Sequence, residues 1–265
     1  MSALIEAQKA FRERNFRKAE ELLAVALQDN PQDAVPLLRL GQVYMAQGMF
    51  SKSLDHLRRA QKLDPQNHAV YRSMGLAIRM SGQIDLGISY LGVILSNSPM
   101  MLQPQVHLTL AELFAAKGDC EALKNSLLLL EKIPSENPRM ELRLWCELED
   151  SDAMLRVAKN HPKIQELAKG LAYEQSNAIE AQRYLLSSSC LEYWEANLAL
   201  FRLTNSKEFL DQAFQQAPQT AEVLLYRSQY MPFEERKNLL ERLGSSPVIF
   251  ASIRRDASRL LKEIS

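Results

Sequence analysis

The chain has 265 residues, 46% hydrophobic and 24% charged, with 32 Lys+Arg balancing 32 Asp+Glu to a formal charge of +0. That composition excludes disordered, collagen-like and disulfide-scaffold classes. With no global excess of base to displace counterions, the chain is not expected to bind nucleic acid.

The first 21 residues already carry Glu6, Lys9, Arg12, Glu13, Arg14, Arg17, Lys18, Glu20 and Glu21, so no signal-peptide apolar core fits there. No apolar run approaches the roughly 18 to 20 residues of a membrane span. Ala7, Ala19, Leu23 and Ala26, followed by Pro31, outline a first helix pair near Met1. The clearest unit runs from Ala34 to about Asn67. Leu37, Leu40, Gly41 and Tyr44 share one helical face, Gly48 supplies a left-handed turn, and Phe50, Leu54, Leu57 and Ala60 form a second amphipathic stretch. Asp64-Pro65 ends it, because proline cannot continue a helix. The next unit repeats this order with Tyr71, Met74, Gly75 and Ile78, then Gly82, then Ile84, Gly87 and Leu91, with Pro99 as the stop. After a two-residue insertion, His107, Leu110, Ala111, Phe114 and Gly118 begin a fourth.

Prolines 31, 65 and 99 stand 34 residues apart, the period of a helix–turn–helix repeat. One position, held by Ala7, Gly41, Gly75 and Ala111, is always small, which predicts close approach of the two helices within each unit. A second small position holds Ala19, Ser53 and Gly87, from which Leu123 departs. Leu40-Gly41-x-x-Tyr44, Gly48, Phe50, Ala60 and Pro65 resemble the tetratricopeptide repeat family. The resemblance implies an all-α, right-handed superhelical solenoid of antiparallel helix pairs, with four repeats over residues 1–134.

Beyond 134 the regular glycines stop: seven of nine lie between 41 and 118, leaving Gly170 and Gly244. Helical spacing persists in Leu142, Trp145 and Leu148, in Ile164, Leu167, Ala168 and Leu171, and in Val223, Tyr226 and Tyr230. Trp194, Phe201, Phe214 and Ala217 fall at repeat-like offsets. Residues 135–265 are read as degenerate helix-pair repeats of about 24 to 30 residues, judged from ordinary helix lengths, that continue the solenoid. A separate helical domain, bounded near Ser135-Pro138, is the alternative. Ile249, Ile253, Ala257, Leu260 and Ile264 lie on one stripe of a last helix, with Arg254, Arg255, Arg259 and Lys262 around it. This reads as a capping helix with a polar outer face. An amphipathic surface for an anionic membrane or an acidic partner is the alternative.

Chemistry-bearing residues do not cluster. His56, His68, His107 and His161 stand singly, with no zinc-ligand spacing. Gly82 to Gly92 are turn and packing positions rather than a phosphate loop. Ser187-Ser188-Ser189-Cys190 lacks an evident base and oxyanion hole and reads as a polar turn. Cys120, Cys146 and Cys190 are widely spaced without a CxxC pair, which suits a reducing compartment. The expectation is a cytoplasmic protein with no catalytic role, no cofactor and no metal.

Stacked helix pairs present a concave face lined mainly by first helices. By the repeat register its exposed positions are Leu38, Gln42 and Met45, then Arg72, Leu76 and Arg79, then Leu108 and Glu112, with Leu4, Gln8 and Phe11 in the first unit. Apolar residues flanked by two arginines predict docking of an extended peptide or amphipathic helix, unless curvature buries some of them. The Lys and Asn clamp by which some family members hold a chaperone's C-terminal carboxylate is replaced here by Leu4 and Gln8, or Leu38 and Gln42. The function so implied is a protein-interaction scaffold or adaptor. Its alternative is a chaperone for a subunit of a bacterial secretion or surface-assembly system. Self-association is possible, and membrane contact would be indirect.

Overall fold

The computed structural model describes residues 3–97, 103–130, 137–187, 189–247 and 249–264. These form α-helices joined by short turns, with no strand among the described residues. The chain divides into two compact units, Met1–Leu113 and Phe114–Ser265. The expected boundary near Ser135 falls on residues 131–136, outside those described, as do the expected stop at Pro99 and the middle of the Ser187–Cys190 turn.

The first unit contains α1 (Ala3–Arg12), α2 (Phe16–Asp29), α3 (Ala34–Ala46), α4 (Phe50–Leu63), α5 (His68–Ser81), α6 (Ile84–Asn97) and the start of α7 (Gln103–Lys117). Helix starts are written locally. Asn15 Oδ1 accepts from the Lys18 N–H at 3.2 Å to cap α2, and Asp33 Oδ1 accepts from the Val35 N–H at 2.8 Å to cap α3. Turns between paired helices use Gly48 and Gly82 at φ +75° and +73°, where a β-carbon is penalised. In each pair the apolar stripes face inward: Leu37, Leu40, Leu54, Leu57 and Ala60 are buried in α3 and α4.

The small positions are contact points. A β-carbon on Gly41 would lie 2.6 Å from Leu57 Cγ of the paired helix. Ser53 Oγ donates to the Gly41 carbonyl at 2.7 Å, tying the pair at its closest approach. Gly75 corrects the expectation of contact within its own pair. Its β-carbon would lie 2.4 Å from Thr109 Cγ2, so the glycine admits the next first helix, α7, instead of α6. Gly87 makes the close contact with α5, at 2.3 Å from Ile78 Cγ2.

The second unit holds α8 (Cys120–Leu130), α9 (Pro138–Glu147), α10 (Ser151–Asn160), α11 (Gln165–Tyr173), α12 (Ala178–Leu185), α13 (Trp194–Thr204), α14 (Lys207–Gln216), α15 (Ala221–Arg227), α16 (Phe233–Ser245) and α17 (Ala251–Ile264). Helices α9, α11, α13 and α15 begin at residues 138, 165, 194 and 221, intervals inside the expected range for shortened pairs. Asn137, Asp150 and Asn177 cap α9, α10 and α12 by accepting from backbone N–H groups. Trp145, Leu167, Leu171 and Val223 are buried, as their periodicity implied, whereas Tyr230 is exposed. Each unit is therefore all-α among the described residues and built of successive helices joined by short turns.

Helix α17 buries Ile253 and Ala257 against α16, and its N-terminal end reaches back to the start of its own unit. Arg254 donates to the Ile249 carbonyl at 2.9 Å and to the Ala116 carbonyl, and Ser252 donates to Glu147. Arg259 pairs with Asp256 at 3.1 Å. Two of the four basic residues of the expected stripe are thus engaged within the unit.

Leu57 is fully buried at the α3–α4 contact, so Leu57→Ala is expected to cost about 2–5 kcal/mol through lost contacts and a residual cavity. Gly82→Ala, with open space around it but a left-handed backbone, is expected to cost about 1–2 kcal/mol. Urea denaturation followed by circular dichroism checks the order, and a milder effect at Leu57 contradicts this account of the core.

Candidate protein-binding groove

The expected groove residues all lie in the first unit and split into three groups. Leu38 and Leu108 are buried, 6% and 4% exposed, so neither offers the solvent-facing apolar surface their register implied. Packing among neighbouring helices takes up positions that an isolated pair would leave open. Arg79 pairs with Glu112 at 3.1 Å, both side chains 12% exposed, and Gln42 donates to Ser73 Oγ at 3.2 Å while accepting from Arg39 at 3.0 Å. These polar groups link consecutive first helices. Gln8 and Arg72 remain exposed, with Phe11, Met45 and Leu76 half-buried; Phe11 also packs on Phe16 at 6.0 Å between ring centroids.

A concavity lies in the second unit, where the sequence had suggested only packing positions. It encloses about 500 Å³ and is lined mainly by successive first helices, with Ser151 and Met154 from α10. Helix α9 supplies Arg143, Cys146 and Glu147, three positions on one helical face. Leu171 and Glu174 come from the end of α11, Trp194, Glu195, Leu198 and Arg202 from α13, and Glu222 and Tyr226, one turn apart, from α15.

Its charges are cross-linked between helices. Arg143 of α9 bonds Glu222 of α15 and lies over the rings of Trp194 and Phe250, at 5.1 and 5.4 Å from their centroids. Burial opposes the Arg143 cation, but the adjacent Glu222 outweighs it and raises the pKa. Arg202 holds Glu174 with two hydrogen bonds, one of 2.6 Å from Nη2, and lies 5.8 Å from the Tyr226 ring centroid. Its pKa is raised by the same balance of burial against a paired carboxylate. Its guanidinium reaches water while protein surrounds it, the situation of a cleft wall. Beside the cleft, Arg139 clamps both Glu195 oxygens at 2.8 and 2.6 Å and stacks over Tyr193.

Burial also perturbs two acids at the cleft. Burial pushes the Cys146 thiol up to about 12, the opposite of an activated thiolate. Burial also raises the Glu147 carboxyl, partly offset by the Ser252 hydroxyl. His107 is half-buried and its pKa is lowered by burial, as for a packed histidine, while His56 stacks on Tyr44 at 5.2 Å. Among the described residues no three His, Cys, Asp or Glu side chains converge as metal ligands, and no helix is long and apolar enough to cross a membrane.

Tyr226, Trp194 and Trp145 stood out in the sequence as periodic aromatics. Only the tertiary structure separates Trp145, which is buried, from Trp194, which faces the cleft. Arg143, Glu174, Arg202 and Glu222 carried no local signal. At pH 8 a thiol with a pKa of about 12 is thiolate to roughly one part in ten thousand. Iodoacetamide should therefore modify exposed Cys120 well before Cys146, as read by mass spectrometry. Equal rates at the two sites contradict the geometry described for the cleft.

A tetratricopeptide repeat family model matches residues 10–76, and no curated protein sequence matches the chain. Among solved structures, pilF of Pseudomonas aeruginosa is 16% identical, aligned over 86% of this chain and 96% of its own, with a TM-score of 0.45. PilW, described as a widely conserved type IV pilus biogenesis factor, is 16% identical over 84% of this chain and 95% of its own, at 0.43. A tetratricopeptide repeat protein from Parabacteroides merdae is 17% identical over 99% of this chain and 97% of its own, at 0.47. Residues 10–76, which the family model matches, are folded as helix pairs, so this segment is similar to tetratricopeptide repeats.

Proposed function

We propose that the protein is a non-catalytic interaction scaffold that holds a segment of another polypeptide in the second-unit cleft. The single observation that carries this reading is a concavity of about 500 Å³ on first helices, bearing both apolar groups and charged groups already held in place. Trp194, Leu171, Leu198 and Tyr226 offer apolar and aromatic contact. The Arg143–Glu222 and Arg202–Glu174 pairs hold their side chains in position before any partner arrives, which reduces the entropy lost on binding. The raised Cys146 thiol and the scattered histidines favour recognition over catalysis.

Residues of the first unit that remain accessible, Gln8, Phe11, Met45, Arg72 and Leu76, form a second candidate surface. A role as chaperone of an assembly-system subunit is a special case of the same binding, in which the captured segment would otherwise aggregate.

Affinity capture from the native cell, followed by binding measurements on the copurified chain, tests the proposal. Trp194→Ala is expected to weaken binding at least tenfold, about 1.4 kcal/mol, with an unchanged helical spectrum. Arg72→Glu is expected to leave binding intact. The converse result moves the partner to the first-unit surface, and a captured chain that turns insoluble without this protein identifies the chaperone case.

A further inference from the structure

The charges of the cleft select the chemistry of its occupant, an inference that rests on the proposed binding role. The lining carries five glutamates, Glu147, Glu149, Glu174, Glu195 and Glu222, against two arginines, Arg143 and Arg202. Both arginines are spent: each is bonded to a glutamate and lies over an aromatic ring. Glu195 is likewise satisfied by Arg139. Glu147 and Glu149 remain without a cation in ion-pair contact among the described residues, and Glu147 accepts only from Ser252. Arg143 and Arg255 act on Glu147 from farther away, too weakly to offset its burial. Both carboxylates border the apolar wall formed by Met154, Leu171, Trp194 and Leu198.

The geometry points to a basic, partly apolar peptide segment as the partner, with an Arg or Lys side chain directed at Glu147 and Glu149 and a neighbouring apolar side chain on the Trp194 wall. Two features support this choice. The negative excess makes the interior attractive to cations, and the surrounding protein strengthens that attraction over its value in open water. An acidic segment would place its carboxylates beside glutamates whose own cations are already taken, a like-charge arrangement that costs binding energy. An arriving cation also relieves the unfavourable burial of Glu147, so the site gains more from a basic ligand than an exposed carboxylate would.

The test uses the full chain and three fluorescein-labelled synthetic 12-residue peptides. These have one alanine-rich frame and a central Leu-Arg-Arg-Leu, Leu-Gln-Gln-Leu or Leu-Glu-Glu-Leu. Fluorescence anisotropy near physiological salt is expected to give at least tenfold tighter binding of the arginine peptide than of the other two. Glu147→Gln with Glu149→Gln is expected to remove that preference. Glu149→Lys, a change at an exposed residue, should reverse it without disturbing the fold. Glu234→Gln with Glu235→Gln, on the exposed first turn of α16, should leave it unchanged. Absence of a preference for the arginine peptide overturns the inference, as does a preference that survives both cleft variants. If the preference is absent while Trp194→Ala still impairs capture of the native partner, the groove stands and only its basic ligand is rejected.

Discussion

The structure depends on a limitation of the isolated helix: a two-to-four-turn helix with one apolar stripe cannot bury that stripe by itself. Pairing resolves the problem when the helices come close enough to exclude water, and closeness requires a small residue at the crossing. Gly41 beneath Leu57, with Ser53 tied to the Gly41 carbonyl, is the best-defined case, and Gly170 beneath Leu185 at 2.5 Å repeats it in the second unit. Each pair still has an outer apolar edge, so pairs stack. Gly75, against Thr109, shows the same device serving contact with the next first helix.

Stacking aligns the first helices and leaves their free faces side by side. In the first unit those faces satisfy one another, through Gln42 with Ser73 and Arg79 with Glu112. In the second unit shorter pairs enclose a cleft, and larger side chains span it. Paired guanidiniums laid over aromatic rings brace its walls while consuming the positive charge. Phe250, just before α17, and Ser252 at its start contact Arg143 and Glu147, so this end of the helix supports two residues of the cleft lining.

The helical architecture was legible because its signals are local. Proline spacing, the left-handed glycines and the period of Leu37, Leu40 and Tyr44 report only on residues within a turn or two. In the second half the apolar spacing of Leu142 and Trp145 and of Leu167 and Leu171 still marks helices, α9 and α11. The binding face was less legible. Leu38 and Leu108 look available on a helical wheel, but a wheel shows one helix and omits the neighbours that cover them. Arg79 looks like a ligand-binding charge until Glu112, 33 positions away, is placed beside it.

By itself the sequence determined that this chain is built of paired helices, where they turn, and which stripes face inward, since short-range periodicity and backbone preference govern those features. Only the tertiary structure decided which charges are spent on each other and which are not. Arg202 meets Glu174 across 28 residues and Arg143 meets Glu222 across 79, and no local rule specifies encounters at such separations. They arise when helix pairs stack at particular distances, and the same stacking leaves Glu147, bonded to Ser252, and Glu149 without a cation in ion-pair contact among the described residues.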